Sequence, residues 1–261
     1  MNPQLQQSDQ CRTSEHPLGI RSQPTETGAT RSSPRLKKGD NEMKSDWFWD
    51  WRAEKYDVQV QNDALVAKFT KRVSKFLKAD DVVLDYGCGT GVVAFRIAGE
   101  VKQVLGIDAS AKMVELAEEK ADRLEAVNLQ FARKTLFDEG LREASYDVLI
   151  AFNILHLLED PEMAVRRTSE LLKPGGLLIS LTPCAGESGG ILRTLLSLIS
   201  TFKILSYLGA FKIDEVKDLL VGQGFDVIES DVHECKVPSS FVVARKTDTN
   251  LPNKEVERDS E

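Results

Sequence analysis

Apolar residues in the central part of the chain alternate between short continuous runs and runs with helical spacing. Short apolar runs bounded by turn residues are typical of buried strands, and recurrence every three to four residues is typical of amphipathic helices. The predicted strands are Val82–Tyr86, Gln103–Asp108, Leu129–Phe131, Asp147–Ala151, Leu177–Leu181, Phe225–Glu229 and Ser240–Ala244. The predicted helices are Asp63–Leu77, Gly91–Ala98, Ala111–Ala121, Glu162–Leu172 and Asp214–Gly222. This alternation predicts a doubly wound α/β domain with a mostly parallel sheet.

Both ends of the chain are polar, which predicts segments outside the folded domain. Residues 1–42 contain no Phe, Trp or Tyr and are rich in Gln, Ser, Thr, Pro and Arg, so they bury too little apolar area to offset the entropy of ordering. We therefore predict a disordered extension over 1–42, a folded domain over 43–246 and a disordered tail over 247–261. Met43 lies where the folded pattern begins, so an alternative start there is left open.

Charge and cysteine content mainly exclude classes of function. The formal net charge of −7 disfavours a nucleic-acid partner, because affinity for phosphates depends on clustered Lys and Arg. The four cysteines contain no Cys-x-x-Cys pair, so no metal site is predicted. The most apolar stretch, residues 191–211, is interrupted by Arg193 and Lys203, which disfavours a transmembrane segment. We predict a cytoplasmic protein, with organelle targeting by residues 1–42 as the alternative.

The most informative segment is Val82–Gly91, where a buried strand runs into a glycine-rich turn and then a helix. Glycines at 87, 89 and 91 allow a sharp turn and a close approach of a ligand to backbone N–H groups. A dinucleotide-binding turn reads Gly-x-Gly-x-x-Gly, whereas this one reads Gly-x-Gly-x-Gly and follows Asp85. A carboxylate at that place repels a phosphate and favours an ammonium or sulfonium ligand. The turn therefore disfavours a Rossmann oxidoreductase.

A second carboxylate ends the next predicted strand. Asp108 follows Gly91 by 17 residues, a distance at which an acidic side chain can accept hydrogen bonds from both ribose hydroxyls of a nucleoside. Ser110 is predicted to cap the following helix, and Met113 to lie near an adenine face. The alternative is that Asp108 only caps a helix or lies at the surface. The glycine turn at the right distance upstream disfavours this alternative.

Four segments together resemble the class I S-adenosylmethionine-dependent methyltransferases: Leu84–Gly91, Gly106–Ser110, Tyr146–Asn153 and Leu171–Gly176. The resemblance covers roughly residues 47–245. It implies a Rossmann-like methyltransferase fold, with a seven-stranded sheet whose last strand is antiparallel, and S-adenosylmethionine as the cofactor. The cofactor-binding residues that it implies are Asp85, Gly87, Cys88, Gly89, Gly91, Asp108 and Asn153. Many members place an Asp after the third strand to bind the adenine amino group, and this chain offers Thr135 there.

The acceptor side is predicted from residues outside these motifs. His156 follows the fourth strand and could deprotonate an acceptor, or pack beside the cofactor pocket. An aromatic cluster that includes Trp47 and Tyr56 resembles the N-terminal lid of small-molecule members, or it anchors the first helix as a small core. Cys184 lies near the start of a predicted apolar cap insertion over about 183–211; it is a pocket candidate or a small buried side chain.

These observations favour transfer of a methyl group from S-adenosylmethionine to a small, partly hydrophobic acceptor, with release of S-adenosylhomocysteine. Methylation of a protein or RNA is one alternative, and a non-catalytic scaffold that binds the cofactor is another. The sequence leaves open whether the protein forms a homodimer. It also leaves open whether the insertion packs against the sheet or in a dimer interface instead of capping the acceptor.

Overall fold

The computed structural model describes residues 42–61, 63–187, 211–234 and 237–247. These residues form one sheet with helices packed on it. The strands are β1 (Val82–Tyr86), β2 (Gln103–Asp108), β3 (Leu129–Arg133), β4 (Tyr146–Phe152), β5 (Leu172–Pro183), β6 (Phe225–His233) and β7 (Ser239–Lys246). The helices are α1 (Glu42–Gln61), α2 (Ala64–Val73), α3 (Val92–Ile97), α4 (Ala111–Arg123), α5 (Pro161–Leu171) and α6 (Ile213–Gly222). No helix within this part of the chain is both long and apolar enough to cross a membrane.

The seven strands lie in the order β3-β2-β1-β4-β5-β7-β6. Strands β1 to β5 pair in parallel, whereas β7 pairs antiparallel with both β5 and β6. This confirms the doubly wound, seven-stranded sheet with an antiparallel last strand. The strand order reverses between β1 and β4, and open α/β sheets bind ligands beyond the carboxyl ends of the strands at such a point.

Successive residues of the central strands point to opposite faces of the sheet, and each face has its own core. Val83 belongs to the core that includes buried residues of α2, α3 and α4, whereas Leu84 belongs to the core of α5 and α6. Both side chains have no exposed surface. Burial on both faces explains why β1 is an uninterrupted apolar run until Asp85.

The start of β5 differs from the prediction. Helix α5 ends at Leu171 and β5 begins at Leu172, five residues before the predicted start at Leu177. Tyr146 of β4 pairs with Leu172 and Val148 pairs with Leu177, so residues 173–176 form an irregularity within the strand. Lys173 lies 2.7 Å from a carboxylate oxygen of Asp147. A Pro-Gly-Gly sequence indicates a turn by local rules, but here cross-strand pairing incorporates it as a bulge.

The aromatic segment before the sheet is also more regular than predicted. It forms α1, a helix of 20 residues. In contrast, the predicted disordered segments 1–42 and 247–261 lie almost wholly outside the described residues, as do residues 188–210 of the predicted cap insertion.

Gly91 allows a direct test of the turn. Its φ is 79°, and a Cβ atom there would lie 2.8 Å from Cζ of Phe131. Left-handed backbone and overpacking together cost a non-glycine residue about 2–4 kcal/mol. We expect Gly91→Ala to lower the free energy of unfolding by that amount in urea denaturation. Gly99→Ala is the control, because no atom lies within 4 Å of its Cβ position; equal unfolding midpoints for both variants would contradict the prediction.

Candidate functional site

The glycine-rich turn after β1 is held against the end of β2 by backbone hydrogen bonds. The N–H groups of Gly87 and Cys88 both donate to the carbonyl oxygen of Ile107, at 2.8 and 3.0 Å. The φ values of Gly87, Gly89 and Gly91 are 68°, 54° and 79°, a backbone region that only glycine adopts at low cost. The three glycines therefore set the path of the turn.

Asp108 joins this turn to the start of α4. Its Oδ2 accepts a hydrogen bond from the N–H of Gly89 and its Oδ1 accepts one from the N–H of Ser110, each at 2.9 Å. Ser110 is the cap of α4 and accepts a hydrogen bond from the N–H of Met113 at 3.2 Å. The predicted cap is therefore confirmed, and the carboxylate of Asp108 is fixed beside the glycine turn.

Asp85 supplies a second, more deeply buried carboxyl group. Only 1% of the residue is exposed, and its Oδ2 has no hydrogen-bond partner among the described residues. Burial, and after it the nearby charge of Asp108, raises the pKa of Asp85 to about 7, although a hydrogen bond from the backbone N–H of Ala94 opposes this shift. A cationic ligand group beside Asp85 would stabilise its ionised form.

Tyr56 of α1 lies over the same turn. Its Cε1 atom is 3.3 Å from the position that a Cβ on Gly89 would take, and Sδ of Met113 is 3.9 Å from that position. Burial, followed by the charges of Asp108 and Asp85, raises the pKa of the Tyr56 phenol to about 12. Tyr56 was predicted as an acceptor-side residue, and the structure places it against the glycine turn and Met113. The side chain of Trp47 lies outside the described residues.

Two aspartates that the sequence reasoning missed attach α1 to α4. Oδ1 of Asp50 accepts hydrogen bonds from the Ser110 hydroxyl at 2.6 Å and from the backbone N–H of Lys112 at 3.1 Å. Two turns further along α1, Asp57 forms an ion pair with Lys120 at 2.6 Å. The seven-residue spacing of the two acids was the available signal, because it puts them on one face of a helix.

The loop after β4 forms the next part of the site. Asn153 has a φ of 55°, and its backbone N–H donates to the carbonyl of Leu181 at 2.9 Å. Within the described ranges, neither Oδ1 of Asn153 nor Nδ1 of His156 has a hydrogen-bond partner, although both atoms are buried. Burial lowers the pKa of His156 to about 4, so the imidazole is neutral at pH 7. Its catalytic role stays a prediction.

Contact between two loops brings Asn153 and the glycine turn to the same edge of the sheet. The side chain of Ile154 packs so closely on Gly87 that a Cβ there would lie 2.7 Å from its Cγ1. The structure therefore brings together the predicted residues after β1, β2 and β4. Cys88 is buried within the turn, and burial raises the pKa of its thiol.

Thr135 and Cys184 have other partners. The Thr135 hydroxyl and backbone N–H both donate to Oδ2 of Asp138, at 2.9 and 2.6 Å. Cys184 is fully buried and its thiol donates to the carbonyl of Thr182 at 3.3 Å, which favours the alternative of a small buried side chain. No group of three or more His, Cys, Asp or Glu that could hold a metal ion is found in the part of the chain that the structure describes.

Comparison with known proteins assigns the family. The family described as a methyltransferase domain matches residues 77–204, which include the glycine turn, Asp108 and Asn153. The crystal structure of the YcgJ protein from Bacillus subtilis superposes with a TM-score of 0.60 at 17% identity, covering 70% of this chain and 100% of that one. The chain belongs to the class I S-adenosylmethionine-dependent methyltransferases. Its cofactor is accordingly S-adenosylmethionine.

Curated relatives of this methyltransferase match over part of their length. A ubiquinone biosynthesis O-methyltransferase from Serratia proteamaculans is 36% identical over 131 residues, which are 49% of this chain and 53% of that protein. A hybrid PKS-NRPS synthetase from Talaromyces variabilis is 29% identical over 217 residues, which are 74% of this chain and 5% of that protein. The chain thus spans about half the length of the O-methyltransferase. The [4+2]-cyclase SpnF also superposes, with a TM-score of 0.60 at 19% identity over 69% of this chain and 80% of that one, which shows the fold alone.

The buried carboxyl of Asp85 makes stability depend on pH. Its pKa in the folded protein, about 7, is above its ordinary value of 3.8, so the folded state binds more protons between these values and loses stability as pH rises through them. Asp85→Asn removes this loss. We expect the Tm of the variant minus that of the wild type to increase from pH 5 to pH 8.

Thermal unfolding of the protein without ligand measures this difference. Asp80→Asn, at an exposed position before β1, is the matched control and should give the same Tm difference at both pH values. An Asp85→Asn difference that does not change with pH would contradict burial of an ionisable carboxyl at this position.

Proposed function

We propose that the protein transfers the methyl group of S-adenosylmethionine to a small, partly hydrophobic acceptor and releases S-adenosylhomocysteine. The observation that carries the proposal is the pairing of two carboxyl groups at one glycine turn: Asp108 accepts from the N–H of Gly89, and the buried Oδ2 of Asp85 has no partner in the described part of the chain. When bound, the cofactor supplies an electrophilic methyl group on a sulfonium sulfur.

The residues of the turn fit this group by charge and by space. Asp108 is placed to accept hydrogen bonds from the ribose hydroxyls, and Asp85 to stabilise the positive charge of the methionine part. Gly87, Gly89 and Gly91 give the turn a positive-φ path that other residues adopt only at a cost, while Met113 and Tyr56 supply apolar surface beside Gly89. Asn153 adds a buried acceptor atom at the carboxyl end of β4.

Positioning and exclusion of water account for the catalysis that we propose. A sulfonium is already a good leaving group, so orientation of the acceptor and desolvation supply much of the rate without a strong acid or base. Burial keeps His156 neutral with a pKa of about 4, which makes it a weak proton acceptor at pH 7. Proton transfer to His156 would therefore require an acceptor that becomes strongly acidic as the methyl group is transferred.

Three observations support a small acceptor over a polymer. Helix α1 packs over the glycine turn through Tyr56, the net charge of −7 disfavours RNA, and matched relatives carry the name ubiquinone biosynthesis O-methyltransferase. Methylation of a protein or RNA, and binding of the cofactor without turnover, remain the alternatives to be tested. We also propose that the protein is cytoplasmic.

Titration calorimetry with S-adenosylmethionine, S-adenosylhomocysteine and NADH tests the cofactor assignment. We expect both sulfur ligands to bind and NADH not to bind. Asp108→Asn should weaken binding of both by about 10–100-fold, because hydrogen bonds to a charged group are worth about 1.5–3 kcal/mol. Asp80→Asn is the control with the same change of charge. Absence of binding in the wild type would reject the proposed function.

Turnover is tested separately by release of S-adenosylhomocysteine. The wild type would be incubated with S-adenosylmethionine and hydrophobic phenols, quinols, thiols or amines. Product that depends on both the acceptor and Asp108 supports the enzyme proposal, whereas binding without turnover across these classes supports the scaffold alternative.

A further inference from the structure

We propose that the outer face of α1 binds the surface of an anionic lipid bilayer. We define this outer face by five residues: Phe48, Trp51, Arg52, Lys55 and Val58. Tyr56, which packs on the glycine turn, lies outside this face. The inference therefore concerns a second surface of the helix, and it does not depend on the proposed function.

Large apolar side chains of α1 are exposed on one side of the helix. Trp51 is 71% exposed and Val58 is 73% exposed, and their seven-residue spacing puts both on one face. The ring of Phe48 adjoins Trp51, with centroids 6.5 Å apart. Ala53 and Val60, about half a turn further round the helix, are the buried hydrophobic residues of its inner side. The outer face therefore presents apolar surface that the chain's own core does not use.

The acidic residues of α1 are directed toward α4. Asp50 and Asp57 are bound to that helix by the hydrogen bonds and the ion pair described above. Glu54 lies near Lys112 of the same helix, because its charge, after a hydrogen bond from Lys112 to Glu115, helps to raise the pKa of Lys112. The negative charge of these three acids is therefore concentrated on the side of α1 that meets α4.

The cations of α1 lie on the outer face instead. Lys55 is exposed and Arg52 is half-buried, and neither forms an ion pair with a residue that the structure describes. Cζ of Arg52 lies 5.7 Å from the ring centroid of Phe48. Long basic side chains of this kind lay their stems along apolar surface and keep their charge in a polar layer. Aromatic residues combined with such cations are typical of helices that lie in the interface of a bilayer.

Charge complementarity favours a lipid surface over a second copy of the chain. A symmetric dimer through this face would place Arg52 and Lys55 of one copy against the same residues of the other, and like charges oppose association. Residues 188–210 contain Arg193 and Lys203 but no acid, so they do not supply the complementary charge either. Anionic headgroups do supply it. Screening over about 8 Å at physiological ionic strength limits the repulsion from acids elsewhere on the chain.

A bilayer on the outer face would lie close to the cofactor site. Tyr56 of the same helix packs beside Gly89, and an α-helix with its side chains is about 10–12 Å across. Binding would thus hold the glycine turn near the membrane surface. A partly hydrophobic acceptor, as proposed above, would be concentrated there because it partitions out of water.

Vesicle flotation of the full chain tests the inference. We expect the wild type to bind vesicles of equal parts phosphatidylglycerol and phosphatidylcholine, and to bind vesicles of phosphatidylcholine alone much more weakly. Trp51→Ser should weaken binding to the anionic vesicles by about tenfold, because it removes the largest exposed apolar side chain of the face. Lys55→Gln should weaken it by about fivefold, and this difference from the wild type should shrink at high salt.

Matched substitutions elsewhere on the surface are the controls. Val58→Ser should weaken binding to the anionic vesicles, whereas Val127→Ser, at a position that is 98% exposed, should not. Lys68→Gln, at an exposed position of α2, should bind as the wild type does. Each substituted side chain is exposed, so all variants should keep the wild-type Tm and the wild-type affinity for S-adenosylhomocysteine.

Two results would overturn the inference. One is a wild type that does not bind the anionic vesicles, or whose binding Trp51→Ser and Lys55→Gln leave unchanged. The other is a wild-type dimer in sedimentation velocity that Trp51→Ser dissociates, in place of vesicle binding, which would assign the face to a second copy. Neither result bears on the cofactor, whose binding is measured separately by titration with S-adenosylhomocysteine.

Discussion

The carboxylate of Asp108 is the interaction on which the rest of the site depends. By accepting hydrogen bonds from Gly89 and Ser110, it connects the turn after β1 with the start of α4. The connection requires that the turn approach β2 closely, and a side chain at Gly106 would prevent this because its Cβ would lie 2.6 Å from Cδ1 of Phe131 and 3.0 Å from Sγ of Cys88. One carboxylate thus organises both loops, and it is the group to which the proposed function assigns the ribose hydroxyls.

The same arrangement concentrates negative charge at the carboxyl edge of the sheet. The charge of Asp108 contributes to the raised pKa values of both Asp85 and Tyr56, so the site without ligand is under electrostatic strain. A cation relieves this strain by favouring the ionised form of Asp85, whereas a phosphate increases it. This is the physical reason why a fold related to the dinucleotide-binding domains is suited here to a sulfonium cofactor.

The elements that local chemistry alone determines have the bounds that the sequence predicts. Strands β1 and β2 were predicted residue for residue, because buried apolar runs ended at a glycine turn and at Asp108. Helix α1 was not predicted because its sequence has little apolar periodicity. Among its described side chains only Ala53 and Val60 are buried hydrophobic residues, and the helix is attached to α4 through Asp50 and Asp57 instead. The start of β5 was wrong because the bulge over 173–176 depends on pairing with β4, which no local pattern contains.

Candidate residues of the site divide in the same way. The positions of the glycines and of Asp108 could be predicted because backbone path and strand ends set them, whereas their roles toward a ligand stay predictions. The hydrogen-bond partner of Thr135 could not be predicted, because it depends on how the turn over residues 134–138 folds back. Oδ2 of Asp85 and Oδ1 of Asn153 are buried oxygens without a hydrogen-bond partner among the described residues, and Nδ1 of the neutral His156 ring is a third buried polar atom without one there. These buried atoms favour a ligand that brings hydrogen-bond donors and positive charge. S-adenosylmethionine has both, whereas a nucleotide phosphate is an anion that only accepts hydrogen bonds.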